Sequence, residues 1–386
     1  MNRRAVFAVA CLGMLVFGIV LTTLGTALPA IIGRFDIDKA SAGTLFLLMS
    51  FGIMAGSLVF GPIVDRHGYK GMLAAAFALV GVGLELIAFA PTLAVLRIGV
   101  ALIGFGGGIL NGGTNAVVAA TSGDSRTADL SVLGIFFGIG AVGVPFALGM
   151  LQSQLSFEAL VAGIGAIVVV PLTLTLSVAF PAPQHAQGAP LAAGTKLLRD
   201  PVLLLYGGML FLASGMEITV GGWTSTFFSE ELGVSAEQAT RILSLYWLGM
   251  MLARLALGSV LRYTTPARAL IGCVTIGLLG AALMLGSQSV VTAATGTFLL
   301  GVGFAASFPV VLGFVGERHP DSAGTAFSIV LVMALTGGML LPWATGVIGA
   351  AQGLRTSFLA VPIGLVTLAS LVTFSTRRRA APAVTG

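Results

Sequence analysis

Apolar residues in this chain come in long unbroken runs, with short Gly-, Pro- or charge-bearing stretches between them. Alternation with period two marks a strand; a continuous run of about 20 apolar residues marks a helix that crosses a bilayer. Twelve runs qualify, over roughly 5–33, 41–62, 71–90, 92–120, 128–151, 156–180, 201–229, 237–261, 267–286, 290–316, 323–349 and 354–375. The first follows Arg3 and Arg4 and continues to about Ile32. That is too long for the apolar segment of a signal peptide, so it counts as a span. One connection is long: 181–200, PAPQHAQGAPLAAGTKLLRD. It divides the spans six and six, which predicts an N-terminal bundle over 1–180, a cytoplasmic linker over 181–200 and a C-terminal bundle over 201–386.

The halves repeat each other. Gly18 matches Gly215 (215 − 18 = 197), and the same offset of 197 pairs Gly25 with Gly222, Gly52 with Gly249, Gly104 with Gly301, Asp124 with Asp321 and Pro145 with Pro342. A constant offset with no gap predicts two six-helix pseudo-repeats in the same orientation. That is the parallel-repeat plan of a secondary transporter, whose solute site is expected near the midplane between the halves.

Composition agrees. Of 386 residues, 57% are hydrophobic and 9% charged, where a soluble protein carries roughly 25% charged residues. The fold class is therefore an all-α membrane protein. Charge sets its orientation. Thirteen of the 19 Lys and Arg, among them Arg3, Arg66, Lys70, Arg126, Lys196 and Arg318, fall on the side of the N-terminus. Four, Arg34, Lys39, Arg241 and Arg355, fall opposite, and Arg97 and Arg254 are intramembrane. The positive-inside rule then places both termini in the cytoplasm, in a cell or inner membrane. The net charge of +5 belongs to these short loops and is no nucleic-acid signal. Cys11 and Cys273 lie in apolar runs without metal-ligand spacing, and read as small buried hydrophobes. No metal or cofactor is expected.

The polar residues inside the spans are the candidate site. Glu217 stands in the middle of the seventh span, where a charge costs several kcal/mol unless it has a partner or lines a wet cavity. Low-dielectric surroundings favour the neutral form of a carboxylate, as a proton carrier requires. The repeat sets Val20 against Glu217, so the carboxylate belongs to one half only. Gly221-Gly222 is expected to loosen the helix, and Trp223 offers a stacking surface. Glu217 and Trp223 are six residues apart, about 120° from facing the same way, whereas Thr224 shares the Glu217 face. Either the glycines break the helix and both reach the cavity, or only one does.

Asn111 and Asn115 share a face of the fourth span and serve either the solute or a helix–helix hydrogen bond. Thr22 and Thr26 share a face of the first, with bonds to their own helix as the other reading. Tyr246 and Trp247, with Trp343, are stacking or packing aromatics. Arg97 and Glu85 lie about 9 and 8 Å below the same ends of their spans, which reads as a structural pair, with direct solute contact as the other reading. Arg254 lies on the order of 10 Å from the depth of Glu217 and is expected to be structural, not its partner.

The loop after the second span reads Gly61-Pro-Ile-Val-Asp65-Arg66-His-Gly68-Tyr-Lys70. It resembles the signature loop of the major facilitator superfamily, departing at Tyr69 where a second Arg is usual. The resemblance extends over the whole chain and implies that fold. Asp65, Arg66 and Lys70, with Gly61 and Gly68, would then form a conformational latch. Gly138-Ile-Gly140-Ala-Val-Gly143-Val-Pro145 is a partial match to an exporter pattern, but Pro342 repeats Pro145, so a shared kink accounts for it. More narrowly, Glu217 with Gly221-Gly222-Trp223-Thr224, Phe136-Phe137-Gly138 through Pro145, and Phe308-Pro309 with Glu317-Arg318 resemble the fucose–galactose–glucose symporter group and its sodium-glucose and MFSD4-like relatives. That implies uptake of a hexose or polyol with H⁺ or Na⁺. The group's carboxylates in the first and fourth spans are missing here, which leaves Glu217 alone for coupling.

The reading is a monomeric transporter of a small polar solute, most of all a sugar; the alternative is a proton-coupled exporter of drugs or metabolites. An intramembrane enzyme is excluded by chemistry. His67, His185 and His319 fall in predicted loops, and every Asp falls in a loop or, as Asp129 does, at the very end of a span, so no nucleophile–base or paired-Asp set exists at depth.

Overall fold

The computed structural model describes residues 2–181 and 197–380. Most of the long connection, including Lys196, lies outside them. The described residues form helices and no strand. Twelve helices are long and apolar enough to span a membrane: α1 (Arg3–Phe35), α2 (Lys39–His67), α3 (Tyr69–Ala88), α4 (Leu93–Thr121), α5 (Ala128–Leu151), α6 (Phe157–Ser177), α7 (Pro201–Glu231), α8 (Ala236–Val260), α9 (Pro266–Gly286), α10 (Val290–Arg318), α11 (Gly324–Gln352) and α12 (Leu354–Thr376). Each answers one predicted run. The largest difference at an end is in α2, which passes Pro62 and stops at His67; membrane helices tolerate an interior proline because neighbours satisfy the freed carbonyl. Pro29, Pro145 and Pro342 also stand inside continuous helices.

Three spans are interrupted, a feature absent from the sequence reading. α6 consists of Phe157–Ile167 and Val169–Ser177, and α10 of Val290–Phe304 and Ser307–Arg318. α12 breaks after its first turn, between Leu354–Ser357 and Ala360–Ala380. A proline ring clashes with the carbonyl four residues back. For Pro309 that residue is Ala305, for Pro171 it is Ile167 and for Pro362 it is Phe358, which places all three interruptions.

The chain divides into two compact units, residues 1–187 with 221–244, and residues 188–220 with 245–386. In the first, α4 packs on α2 and α3, and α1 on α5. In the second, α9 packs on α10 and α12. Small residues let the backbones meet. A Cβ on Gly52 would stand 2.8 Å from the Phe105 nitrogen, and one on Gly104 would stand 3.1 Å from Met49 Cα, so α2 and α4 cross there. In the second unit the repeat mates Gly249 and Gly301 do the same work against Phe298 and Tyr246 of α10 and α8. The offset read from the sequence is thus a packing offset.

Candidate functional site

Within the second unit, Glu217 on α7 is buried, its side chain 8% exposed. Arg254 of α8 brings its Nη2 to 3.6 Å from Glu217 Oε2. This overturns the expectation that the two stand too far apart. The depth estimate compared Cα positions only. A helical side chain leans toward the N-terminus of its own helix. α7 and α8 are consecutive spans running in opposite senses, so the two side chains lean toward each other. The pair is an ion pair without a close hydrogen bond. Glu217 Oε2 and Arg254 Nε are buried and have no hydrogen-bond partner among the described residues. The Tyr246 hydroxyl donates to the Glu217 backbone carbonyl at 3.2 Å. Its ring meets Trp247 edge-on at 5.1 Å and Phe304 at 6.4 Å. A carboxylate, a guanidinium and two large aromatics therefore share one neighbourhood of α7, α8 and α10.

α7 is continuous through Gly221 and Gly222, so the expected loosening of the helix does not occur. The two glycines serve close packing instead. A Cβ on Gly25 of α1 would lie 2.8 Å from the Cα of Gly222, and one on Gly222 would lie 2.5 Å from the Phe46 ring. Gly25 and Gly222 are repeat mates that touch. One helix turn then separates two surroundings: Glu217 belongs with Arg254, while Trp223 is fully buried against Phe46 of α2, ring centroids 5.7 Å apart. The alternative in which the glycines break the helix does not hold. Thr224 is buried as well.

In the first unit, the Asn115 amide donates to the Asn111 carbonyl at 2.8 Å, and both residues are half-buried. Thr22 donates to Gly18 O at 3.0 Å and Thr26 to Thr22 O at 2.7 Å, so both hydroxyls bond back to their own helix. Trp343, 36% exposed, stands at the surface of α11.

The sequence pattern of the Major Facilitator Superfamily matches residues 10–324 and, again, 225–386. The chain belongs to that superfamily. It is 25% identical over 357 residues to the uncharacterized transporter y4wD of Sinorhizobium fredii (strain NBRC 101917 / NGR234), covering 90% of this chain and 92% of that one. It is 22% identical over 381 residues to the human (Homo sapiens) sodium-dependent glucose transporter 1, covering 89% and 73%. The crystal structure of nucleoside transporter NupG shares the fold, with TM-score 0.79 at 16% identity over 97% of this chain and 99% of that one. Membership makes the protein an integral multi-pass membrane transporter of solutes.

In this major facilitator the signature loop folds as a tight joint. α2 ends at His67, Gly68 takes φ 76° and donates its N–H to Val64 O at 2.8 Å, and α3 starts at Tyr69. A residue with a Cβ would be strained at that φ. Asp65 is half-buried, and Arg66 and Lys70 are exposed. Asp65 makes no ion pair among the described residues.

The expected Glu85–Arg97 pair is also absent among the described residues. The helices carrying them cross at Gly83 and Gly99, where a Cβ on either would meet the other's carbonyl at 2.9 and 2.8 Å. Glu85 is two residues after one crossing point and Arg97 two before the other, about 200° round each helix. Equal depth was right and azimuth was not. Glu85 turns to Gly165 of α6, and Arg97 is exposed. Arg97→Ala is therefore expected to change stability by no more than about 0.5 kcal/mol, the range of exposed positions. A loss of several kcal/mol in detergent unfolding would restore the pair.

Proposed function

We propose that this transporter takes up a sugar or related polyol by alternating access, coupled to H⁺ or Na⁺ at Glu217. The observation that carries the reading is the buried Glu217 carboxylate, with one oxygen lacking a hydrogen-bond partner among the described residues, beside the Arg254 guanidinium. Such a group holds a proton or a sodium ion, or accepts from a sugar hydroxyl, at the depth where a transporter needs it. Tyr246 and Trp247, packed on α8 beside Glu217, would offer apolar faces to a pyranose ring once the cycle opens them. The similarity to a sodium-dependent glucose transporter supports the solute class. Trp223, Thr224, Asn111, Asn115, Thr22 and Thr26 have secondary roles in this reading, since each packs or is hydrogen-bonded within the protein or lies apart from Glu217.

The bundles 1–180 and 201–386 are the two moving halves, with Gly61, Asp65, Arg66, Gly68 and Lys70 as a cytoplasmic latch. A monomer in a cell membrane, both termini cytoplasmic, completes the proposal. The test is counterflow of a labelled sugar panel into proteoliposomes, with and without a proton or sodium gradient. Exchange of at least one sugar, accelerated by one of the gradients, is the expected result. Exchange of lipophilic cations but of no sugar would replace this reading with drug export.

A further inference from the structure

Glu217 and Arg254 are the two charged residues at mid-depth in the second unit. In α7 and α8 the remaining charges, Glu230, Glu231, Glu237 and Arg241, lie at helix ends, as do Arg268, Glu317, Arg318 and Arg355 of α9, α10 and α12, and α11 has none. Around Glu217, α11 and α12 offer only uncharged neighbours: Gly338 beside Ser214 and Ile218, and Gly364 beside Met216. Tyr246, whose hydroxyl donates to the Glu217 carbonyl, is the one further titratable group beside it among the described residues of this unit. Among the described residues Arg254 thus has a single anion to pair with, held at 3.6 Å, and its Nε is buried without a hydrogen-bond partner. A guanidinium carries five donors in a planar fork that fits a carboxylate with two parallel bonds. Glu217 does not fill that fork.

A second feature lies at the same depth. A Cβ on Gly301 would stand 2.9 Å from the Met250 nitrogen, so α8 and α10 meet there while running in the same direction. One turn further along the same seam come Arg254 on α8 and Ala305 on α10. Ala305 is where α10 is interrupted, and the half-helix Ser307–Arg318 begins just beyond. The opening turn of a helix presents unbonded N–H groups; here they are those of Ser307 and Phe308, since Pro309 has none and Val310 donates to Ala306 O at 3.1 Å. Ser307 is fully buried, and its hydroxyl has no hydrogen-bond partner among the described residues. A guanidinium with an unfilled fork, a helix start and a spare hydroxyl are all donors suited to one anion.

We propose that the solute is a sugar acid, whose carboxylate is taken by Arg254 and the opening turn of Ser307–Arg318 when a proton neutralises Glu217. The inference rests on the reading of Glu217 as the coupling site. The proton arrives on the Glu217 carboxylate from the side of higher proton activity, which frees the guanidinium for the solute. On the other side the solute leaves, the proton leaves, and the Glu217–Arg254 pair re-forms. One proton and one monoanion cross together, so the cycle moves no net charge.

The probes are labelled D-glucuronate and D-glucose in counterflow on the full-length protein in proteoliposomes. Glucuronate exchange at least tenfold above that of glucose is expected, with accumulation under a pH gradient that an imposed membrane potential does not alter. Arg254→Lys keeps the charge but not the fork; it is expected to lower glucuronate exchange tenfold or more while the melting temperature stays near that of the wild type. Glucose exchanged with glucuronate excluded, or both carried equally, overturns the acid but leaves sugar transport standing. Neither exchanged overturns the sugar reading as well. Undiminished glucuronate exchange by Arg254→Lys also overturns the proposal.

Discussion

Glu217→Gln is expected to abolish gradient-driven accumulation while solute exchange survives. Gln keeps the shape and an oxygen that accepts from Arg254, but it has no proton to give up and no charge to hold sodium. A gradient of one pH unit is worth about 1.4 kcal/mol per coupled proton, or roughly tenfold in accumulation. The wild type should approach that ratio, or its sodium equivalent, and the variant should stay near unity. Exchange needs no net movement of the coupling ion, so counterflow should remain within about threefold of the wild type by comparison with that tenfold loss. The fold should persist, because Arg254 is about one-third exposed and is not left as a wholly buried charge. Accumulation at the wild-type level in proteoliposomes would remove Glu217 from coupling.

The spans and the repeat were legible because both are one-dimensional signals. Run length gives a span, and the glycines that let helices cross, such as Gly52, Gly104, Gly249 and Gly301, recur at a fixed offset. Depth was legible too, since rise per residue is constant. Rotation about the helix axis was not: Glu85 and Arg97 lie level yet face away from each other, because Gly83 and Gly99 occupy the crossing. Arg254 failed for a different reason. Depth along the axis locates its Cα, but the side chain leans toward its helix N-terminus and so closes the gap to Glu217. The interruption of α10 had a signal in Pro309, four residues after Ala305. Pro29, Pro62, Pro145 and Pro342 show that the signal is not sufficient. The Phe46–Trp223 contact had none, because it depends on how α2 is turned relative to α7.

Gly25→Ala is expected to destabilise the protein by about 1–3 kcal/mol, the range for added methyl groups in a packed interior. A Cβ there meets the backbone of α7, at 2.8 Å from Gly222 Cα and 3.1 Å from the Gly221 carbonyl carbon, and backbone cannot rotate away. Gly222→Ala should be milder. Its Cβ meets the end of the Phe46 ring at 2.5 and 2.6 Å, and a side chain can shift toward a new rotamer. Gly33→Ala is the control. Nothing lies within 4 Å of its Cβ, and in a helix Ala is favoured over Gly by about 0.8–1 kcal/mol. Transport should follow the same order. The 221–231 end of α7 belongs with the first unit while the 201–220 part, with Glu217, belongs with the second. If alternating access requires that α7 part from α1 and return, a side chain at Gly25 obstructs the return. Gly25→Leu should therefore lower counterflow tenfold or more even where protein enough for the assay survives. Equal melting temperatures for Gly25→Ala and Gly33→Ala, with equal counterflow, would mean that the Gly25–Gly222 contact contributes neither to stability nor to the transport cycle.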